Sequence, residues 1–566
     1  MIVGRPADFA ALTAGFDEVQ PHWMPATAVR PILHGDPCLL WLQLHGRDHG
    51  FQPDSNKYDF LGWISKKAKE FELAWLRSVA YPHAVQSCEE AYLVRHASYV
   101  HKTLELMAGG VPVIYQAAMW DPELGIYGTA DVIVLKSWLR TSFPALFEDD
   151  GTPDCYVAGD FKFQAGLTTN PSKNSDYLVA SAQIRLYAAM LAHLQQESSK
   201  FGILITRDRP LEPIRIEANF EPGGELDAEL AQCLSVYQDI KANGHEKTPW
   251  NDPALRPNLQ FTSDGPWHSA KQEIASKRIE GGMPEKLYYV GKAEGDLLRR
   301  LGYPTLQSML DELPGNLPLR RSAVGSRQIA ILQANRIGKH IEFPPELIPP
   351  RKPIELYVDF ESFIGINCDF DTEWPNLAGK EMAAFLIGIG QMTGDGWSHK
   401  ILVAPSEGPE GEAVVFEEFV DYLGSLGVIQ NPADCAIYHW SGYEKWQTHK
   451  AIERIRGRVG FELESIRNRY VDLCTVMQAG PIALPGMWDF SVKSVIKALS
   501  AYDPRFGADY PDDGVMEGAS AMVAGWRMYE SPKPCETDEY ADLCGYLEVD
   551  CRAMHQILGW LRDAAR

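Results

Sequence analysis

From Glu342 to Pro353 the chain reads Glu-Phe-Pro-Pro-Glu-Leu-Ile-Pro-Pro-Arg-Lys-Pro, five prolines in twelve residues. Proline lacks a backbone N–H and fixes φ, so this stretch enters neither a helix interior nor a central strand. It is expected as an extended linker, and it divides the sequence. Directly behind it, Ile354-Glu-Leu-Tyr-Val-Asp359 reads as a strand that opens a new domain. A softer seam runs from Gly244 to Gly265. Residues 270–340 hold twelve Lys/Arg against seven Asp/Glu, a local surplus of five positive charges in a chain of net charge −23. The expected plan is a domain over 1–245, a basic helical connector over 246–341, the linker over 342–353 and a domain over 354–566. Within the connector, Leu287 to Tyr303 reads as two helical stretches around a glycine turn. One reading is a connector with a solvated face. The other is a helix–hairpin–helix-like unit that holds a phosphate backbone on glycine amides and on Arg299, Arg300, Arg320 and Arg321.

A length of 566 residues allows two to four domains, each able to bury a core of its own. With 45% hydrophobic and 23% charged residues, collagen, coiled coil and bulk disorder are excluded. The acidic balance argues against a surface coated in basic patches for duplex binding, while leaving room for one local groove. The first residues carry Asp8 and Asp17 and no basic segment before an apolar core, so no secretory signal is expected. No apolar run is long enough for a membrane span. Ten cysteines without a C-x2-C pair point to a reducing, cytoplasmic setting with neither a structural zinc nor an iron–sulfur site.

Two constellations carry chemistry. In the first, Leu61 to Leu76 has helical apolar spacing and contains Glu72, with Glu70 as a rival acid. Gly125-Ile-Tyr-Gly-Thr-Ala-Asp131 is expected as a turn, with Asp131 at the mouth of the β-branched run that follows. Tyr156 to Phe163 reads as a second strand, on which Asp160 and Lys162, two apart, share a face. On the helix after it, Gln183 and Tyr187 lie four apart on one side. Taken singly, a D-x-K at a strand end is usually an exposed ion pair. Together, the carboxylates suit a hard divalent cation, Lys162 can position water and stabilise developing negative charge, and Gln183 and Tyr187 can orient a substrate backbone.

In the second constellation, Leu356-Tyr-Val-Asp359-Phe-Glu361 places two carboxylates on one strand face. Cys435 to His439 reads as a strand leading into a helix whose first turn holds Glu444. The C-terminal helix carries Tyr546 and Asp550 four residues apart. Four acids from strand and helix suit a two-metal phosphoryl site, with Tyr546 aligning or helping to deprotonate water. Asp472 is a second-tier candidate, and Lys493 reads as structural.

The order of the first set resembles the PD-(D/E)XK nuclease fold of the RecB-like and Cas4-like group over roughly residues 30–210, including weakly the Gly35-Asp-Pro-Cys38 opening. Cys38 has no later cysteine cluster, so no iron–sulfur centre is implied. The second set resembles ribonuclease H-like DEDD exonucleases of the tyrosine-bearing type. Glu444 stands where an Asp is more usual, and Tyr546-Leu-Glu-Val-Asp550 lacks the Asn and first Asp of the Y-N-E-D-D run. The resemblance implies an α/β chain: an N-terminal restriction-endonuclease-like domain, a small helical connector and a C-terminal ribonuclease H-like domain. It implies a Mg2+- or Mn2+-dependent nuclease acting on DNA, foremost on single strands or ends, with RNA as a further substrate class. Glu72, Asp131 and Asp160 would hold one metal centre with Lys162 assisting, and Asp359, Glu361, Glu444 and Asp550 another with Tyr546 assisting. The alternatives are one live site beside a binding platform, or a non-catalytic binding scaffold. No G-x4-G-K-[ST] loop is present, so processing of duplex would need an ATP-driven partner or existing ends.

Overall fold

The computed structural model describes residues 9–147, 153–164, 167, 175–209, 211–217, 225–261, 265–312, 322–364, 382–455, 457–508, 510 and 518–566. It is a mixed α/β structure with two mixed sheets, and the chain separates into two compact units. Of the described residues, those within 9–54 and 64–274 form the first and those within 55–63, 275–364 and 382–566 the second. Among the described residues no helix is long and apolar enough to cross a membrane.

The first unit is built on the strands β1 (Met24–Pro25), β2 (Ala84–Gln86), β3 (Val113–Asp121), β4 (Ile126–Leu135), β5 (Tyr156–Lys162), β6 (Gly202–Thr206) and β7 (Ile214–Ile216). They pair in the order β2-β3-β4-β5-β6-β7, with β1 beside β4. The β3-β4-β5 stretch is antiparallel, and β5-β6 is parallel. In β5 the residues from Tyr156 to Phe161 are all buried, the signature of a central strand covered on both faces. The helices that matter here are α1 (Pro37–His45), α2 (Phe60–Trp75), α3 (Ala97–Ala108), α4 (Ser175–Gln195) and α5 (Glu225–Asn243). Phe71 and Trp75 of α2 meet the ring of Phe161 edge-on at 6.0 and 5.3 Å. Gly128 keeps α4 close to β4: a Cβ there would stand 3.0 Å from Tyr187.

Asp131 is not at a strand mouth. Strand β4 already begins at Ile126, because Asp121 pairs with Ile126 across a tight connection, and this puts Asp131 in mid-strand.

The second unit carries β8 (Ile354–Ile364), β9 (Met382–Thr393), β10 (Gly396–Val403), β11 (Cys435–His439) and β12 (Tyr470–Asp472) in the order β10-β9-β8-β11-β12. The first three are antiparallel, and β8-β11-β12 is parallel. Its helices include α6 (Lys292–Arg300), α7 (Leu306–Glu312), α8 (Ser322–Ile337), α9 (Pro409–Ser425), α10 (Tyr443–Arg454), α11 (Leu473–Ala479), α12 (Val492–Tyr502), α13 (Gly518–Glu530) and α14 (Asp538–Ala564). Thr537 caps α14 by accepting from the Tyr540 amide, and Asp538 and Glu539 complement the helix dipole. Glu412 of α9 is fully buried; it accepts from the Ala384 amide at 2.9 Å and from the Arg454 guanidinium at 2.7 Å, which fastens α9 and α10 to the start of β9. Residues 55–63 belong to this unit through Tyr58, whose hydroxyl donates to Asp542 at 2.6 Å, and Trp63, stacked on Trp526 at 3.9 Å.

The segment expected as a connector divides. Residues 246–274 cluster with the first unit and 275–341 with the second. There Leu298, Met309 and Ile331 share one buried cluster with Leu499, Ile557 and Leu561. Leu287 to Gly291 is not helical: Tyr289 adopts φ +56°, and the Tyr288 amide donates to the Trp488 carbonyl. The proline-rich stretch is extended around one short turn at Pro345–Leu347, but it is held down. Phe343 and Ile348 pack on the core, and Arg562 donates to the Pro349 carbonyl.

Candidate metal centres

Asp160 and Lys162 follow the two-residue period of β5 onto one face. Their ion pair is 2.5 Å long, with the Asp160 side chain 2% exposed and that of Lys162 28%. Lys162 Nζ also donates to Gln183 Oε1 at 3.2 Å, and Gln183 Nε2 donates to the Tyr187 hydroxyl at 2.8 Å. One α4 face thus reads back onto β5, as the four-residue spacing requires. Asp131, on the neighbouring strand, accepts from the Phe161 amide at 3.0 Å. Burial and the charge of Asp160, then that of Glu72, push the Asp131 carboxyl well above the usual range; Lys162 opposes this. Burial, Asp160 and Asp131 likewise raise the Tyr187 phenol. Glu72 is held on the inner side of α2 by the Tyr115 hydroxyl, which donates to it at 2.6 Å, and Lys69 reaches the same hydroxyl. Glu70 pairs instead with Lys67 at 3.0 Å, so Glu72 is the acid of α2 that faces this centre. All six residues expected here therefore meet in one unit.

Tyr115 and Gln116 were not anticipated. Gln116 stands opposite Asp131 in the β3–β4 ladder with φ +52°, and its amide approaches Asp131 at 3.4 Å. A left-handed glutamine inside a strand is strained by roughly 1–2 kcal/mol. The only sequence trace of this pair is a polar Gln in the otherwise apolar run Val113–Trp120.

In the second unit β8 brings Asp359 and Glu361 to one face, α10 supplies Glu444 from its first turn, and α14 supplies Asp550. Glu361, Glu444 and Asp550 are 7%, 2% and 6% exposed. Burial raises each of the four carboxyls, and the charges of the others add to this for Asp359 and Glu361. Lys493 lowers Asp359, Glu361 and Asp550, and its Nζ lies 5.0 Å from the Tyr546 ring centre. It faces the acids rather than serving the fold alone. Tyr510, also unanticipated, donates its hydroxyl to Asp550 Oδ1. Burial and the three acids Asp550, Glu361 and Asp359 drive the Tyr546 phenol up. His439, five residues before Glu444, lies with its Nδ1 3.1 Å from Glu444 Oε2; burial lowers the imidazole to about 4, so it is neutral.

Asp472 has a different task. Its Oδ1 caps α11 at the Thr475 amide (3.1 Å) and holds the amide of Ser441, which has φ +72°, at 3.0 Å. It shapes the turn into α10 instead of offering its oxygens to the quartet.

The arginines of the basic segment diverge. The Arg299 guanidinium is taken by Glu285 at 2.7 Å and Asp296 at 2.8 Å. Arg300 is exposed, and Arg320 and Arg321 lie outside the described residues. Among the described residues the one trio of His, Cys, Asp or Glu whose ligand atoms all fall within 4.8 Å of one another is His45, Asp48 and His245, none of them a member of either carboxylate set. The two carboxylate sets are thus open clusters of buried, mutually repelling acids. Such oxygens fit a hard cation in donor type, since in each set one lysine faces several carboxylates and offsets their charge only in part. Comparison with protein-family models, with curated proteins and with solved structures finds no match to this chain.

Proposed function

We propose that the chain is a Mg2+- or Mn2+-dependent nuclease that hydrolyses phosphodiester bonds in DNA. In this reading the first unit is a PD-(D/E)XK, RecB-like domain and the second a ribonuclease H-like DEDD domain. The observation that carries it is the contact of Asp160, Lys162, Gln183 and Tyr187 beside Asp131, with Glu72 close enough for its charge to raise the Asp131 carboxyl. Asp131, Asp160 and Glu72 would hold the ion; bound there, a divalent cation lowers the pKa of water and offsets phosphate charge. Lys162, kept protonated by Asp160 and Asp131 against its burial, supplies a fixed positive charge beside the scissile group. Gln183 fixes the rotamer of Lys162. Tyr187, neutral at any working pH, stays a hydrogen-bonding group.

Asp359, Glu361, Glu444 and Asp550 would hold the second centre, with Tyr546 and Lys493 beside it. Asp550 already accepts the Tyr510 hydroxyl, an arrangement that favours a second reading: a live first site with the second kept for binding. The test is cleavage of end-labelled single-stranded DNA, duplex DNA and RNA with Mn2+ or with EDTA. Lys162→Ala should slow first-site cleavage by about 10^2–10^3, the scale of losing one preorganised charge-stabilising group. Cleavage that survives Lys162→Ala and Asp359→Ala separately, but not together, means two live sites. Metal-dependent cleavage lost in Lys162→Ala and retained in Asp359→Ala assigns the second reading. Absence of cleavage in folded wild-type protein with either ion refutes the proposal.

A further inference from the structure

A third cluster lies in the first unit, at the end of α1. His45 closes that helix, Asp48 follows in the turn Arg47–His49, and His245 follows α5 by two residues. The chain separation is 200 residues, yet the three offer ligand atoms within 4.8 Å of one another. The imidazoles of His45 and His245 meet edge-on at 4.7 Å between ring centres.

Three observations distinguish this from a chance surface contact. His45 is 6% exposed, and its Nε2 lies 2.9 Å from the Ile240 carbonyl. A carbonyl can only accept, so Nε2 carries the proton and Nδ1 presents its lone pair. That Nδ1 is buried and has no hydrogen-bond partner. A metal-binding histidine is commonly oriented in this way, with its other nitrogen donating to a backbone carbonyl. Third, the backbone is cut to fit: a Cβ on Gly244 would stand 2.3 Å from His45 Cδ2, while the Gly244 carbonyl is fixed by Trp41 Nε1 at 2.7 Å. Asp48 and His245 are exposed, so an ion has a way in.

We infer that His45, Asp48 and His245 form a binding site for a divalent transition-metal ion of the zinc class, fastening the end of α1 to the turn after α5. Two imidazoles and one carboxylate suit Zn2+ or Co2+ and are a poor match for Mg2+, which keeps to oxygen and water. Three protein ligands leave a fourth position for water. Cysteine spacing could not disclose such a site, because it contains no cysteine. The inference is independent of the nuclease reading.

The test is Co2+ titration of the full chain, freed of metal by chelator and kept in excess Mg2+ so that the oxygen-rich clusters are occupied or masked. Expected is one Co2+ per chain with the intense visible absorption of a four-coordinate ion, displaced by Zn2+. His245→Ala and Asp48→Asn, both at exposed positions, should keep the circular dichroism of the wild type. Each should weaken Co2+ binding at least about 10-fold, since even an outer partner of a metal ligand commands that much. Co2+ that binds both variants as tightly as wild type, or gives only the weak absorption of a six-coordinate ion, would overturn the inference and leave the cluster as ring packing.

Discussion

The acidic quartet of the second unit should be a stability liability in the absence of metal, and Asp359→Asn measures it. Four carboxylates face one lysine, so full ionisation leaves three formal negative charges uncompensated in a site where three of the acids are at most 7% exposed. Two like charges about 6 Å apart repel by roughly 3 kcal/mol at an effective dielectric near 20. Protonation relieves part of this, which is why the folded-state pKa values are raised. The sign follows: a raised carboxyl pKa means that the folded state binds more protons than the unfolded one, so stability falls as pH rises above the unfolded value near 4. Asp359→Asn removes one charge and keeps the shape. It should be near neutral at pH 5 and stabilising by about 1–3 kcal/mol at pH 8 in EDTA. Saturating Mn2+ should reverse the ranking, because only the wild type gains the full linkage stabilisation of a bound ion. Urea unfolding midpoints across that pH range, with EDTA or Mn2+, provide the assay. A variant destabilised at pH 8 without metal, or one raised by Mn2+ as much as wild type, would refute the argument.

Two further outcomes follow from local geometry. Gly159→Ala would place a Cβ 2.6 Å from Ile203 Cγ1 and 2.8 Å from Val132 Cγ1, both on stiff β-branched side chains, so urea unfolding should show a loss of roughly 1–3 kcal/mol. Asp472→Ala deletes the cap of α11 and should cost about 1–2 kcal/mol by the same measurement; its Mn2+-induced shift should match that of wild type, which separates a cap from a ligand.

What could be read from the sequence was local in origin. The period of Leu61 to Leu76 locates α2 to within a residue or so, and the two-residue spacing of Asp160 and Lys162 fixes their common face. The four-residue spacings Gln183–Tyr187 and Tyr546–Asp550 place each pair on one side of a helix. What failed depended on partners distant in sequence. Nothing near Tyr115 announces that its hydroxyl will meet Glu72, since β3 is buried on both faces and shows no alternation. Residues 287–291, Leu-Tyr-Tyr-Val-Gly, are mostly weak helix formers, and with the Tyr288 amide claimed by Trp488 and the Tyr288 ring by Phe490 the helix starts only at Lys292. Lys493 reads as an ordinary helix lysine until three acids from other elements surround its end. His45 and His245 become a pair only once α1 and α5 are packed.

Gln116 has one more consequence. Its left-handed backbone interrupts β3 between the stretch that pairs with β2, ending at Tyr115, and the stretch that runs to Asp121. The stretch from Val113 to Tyr115 pairs with β2 on one side and with Val132–Val134 of β4 on the other, the same residues that pair with β5. Asp131 and Asp160 stand just past the end of that four-strand patch, and Tyr115, which holds Glu72, is buried within it. The acids of the first set therefore rest on one continuous foundation, and a change that loosens Tyr115 is expected to disturb Asp131 and Asp160 together with Glu72.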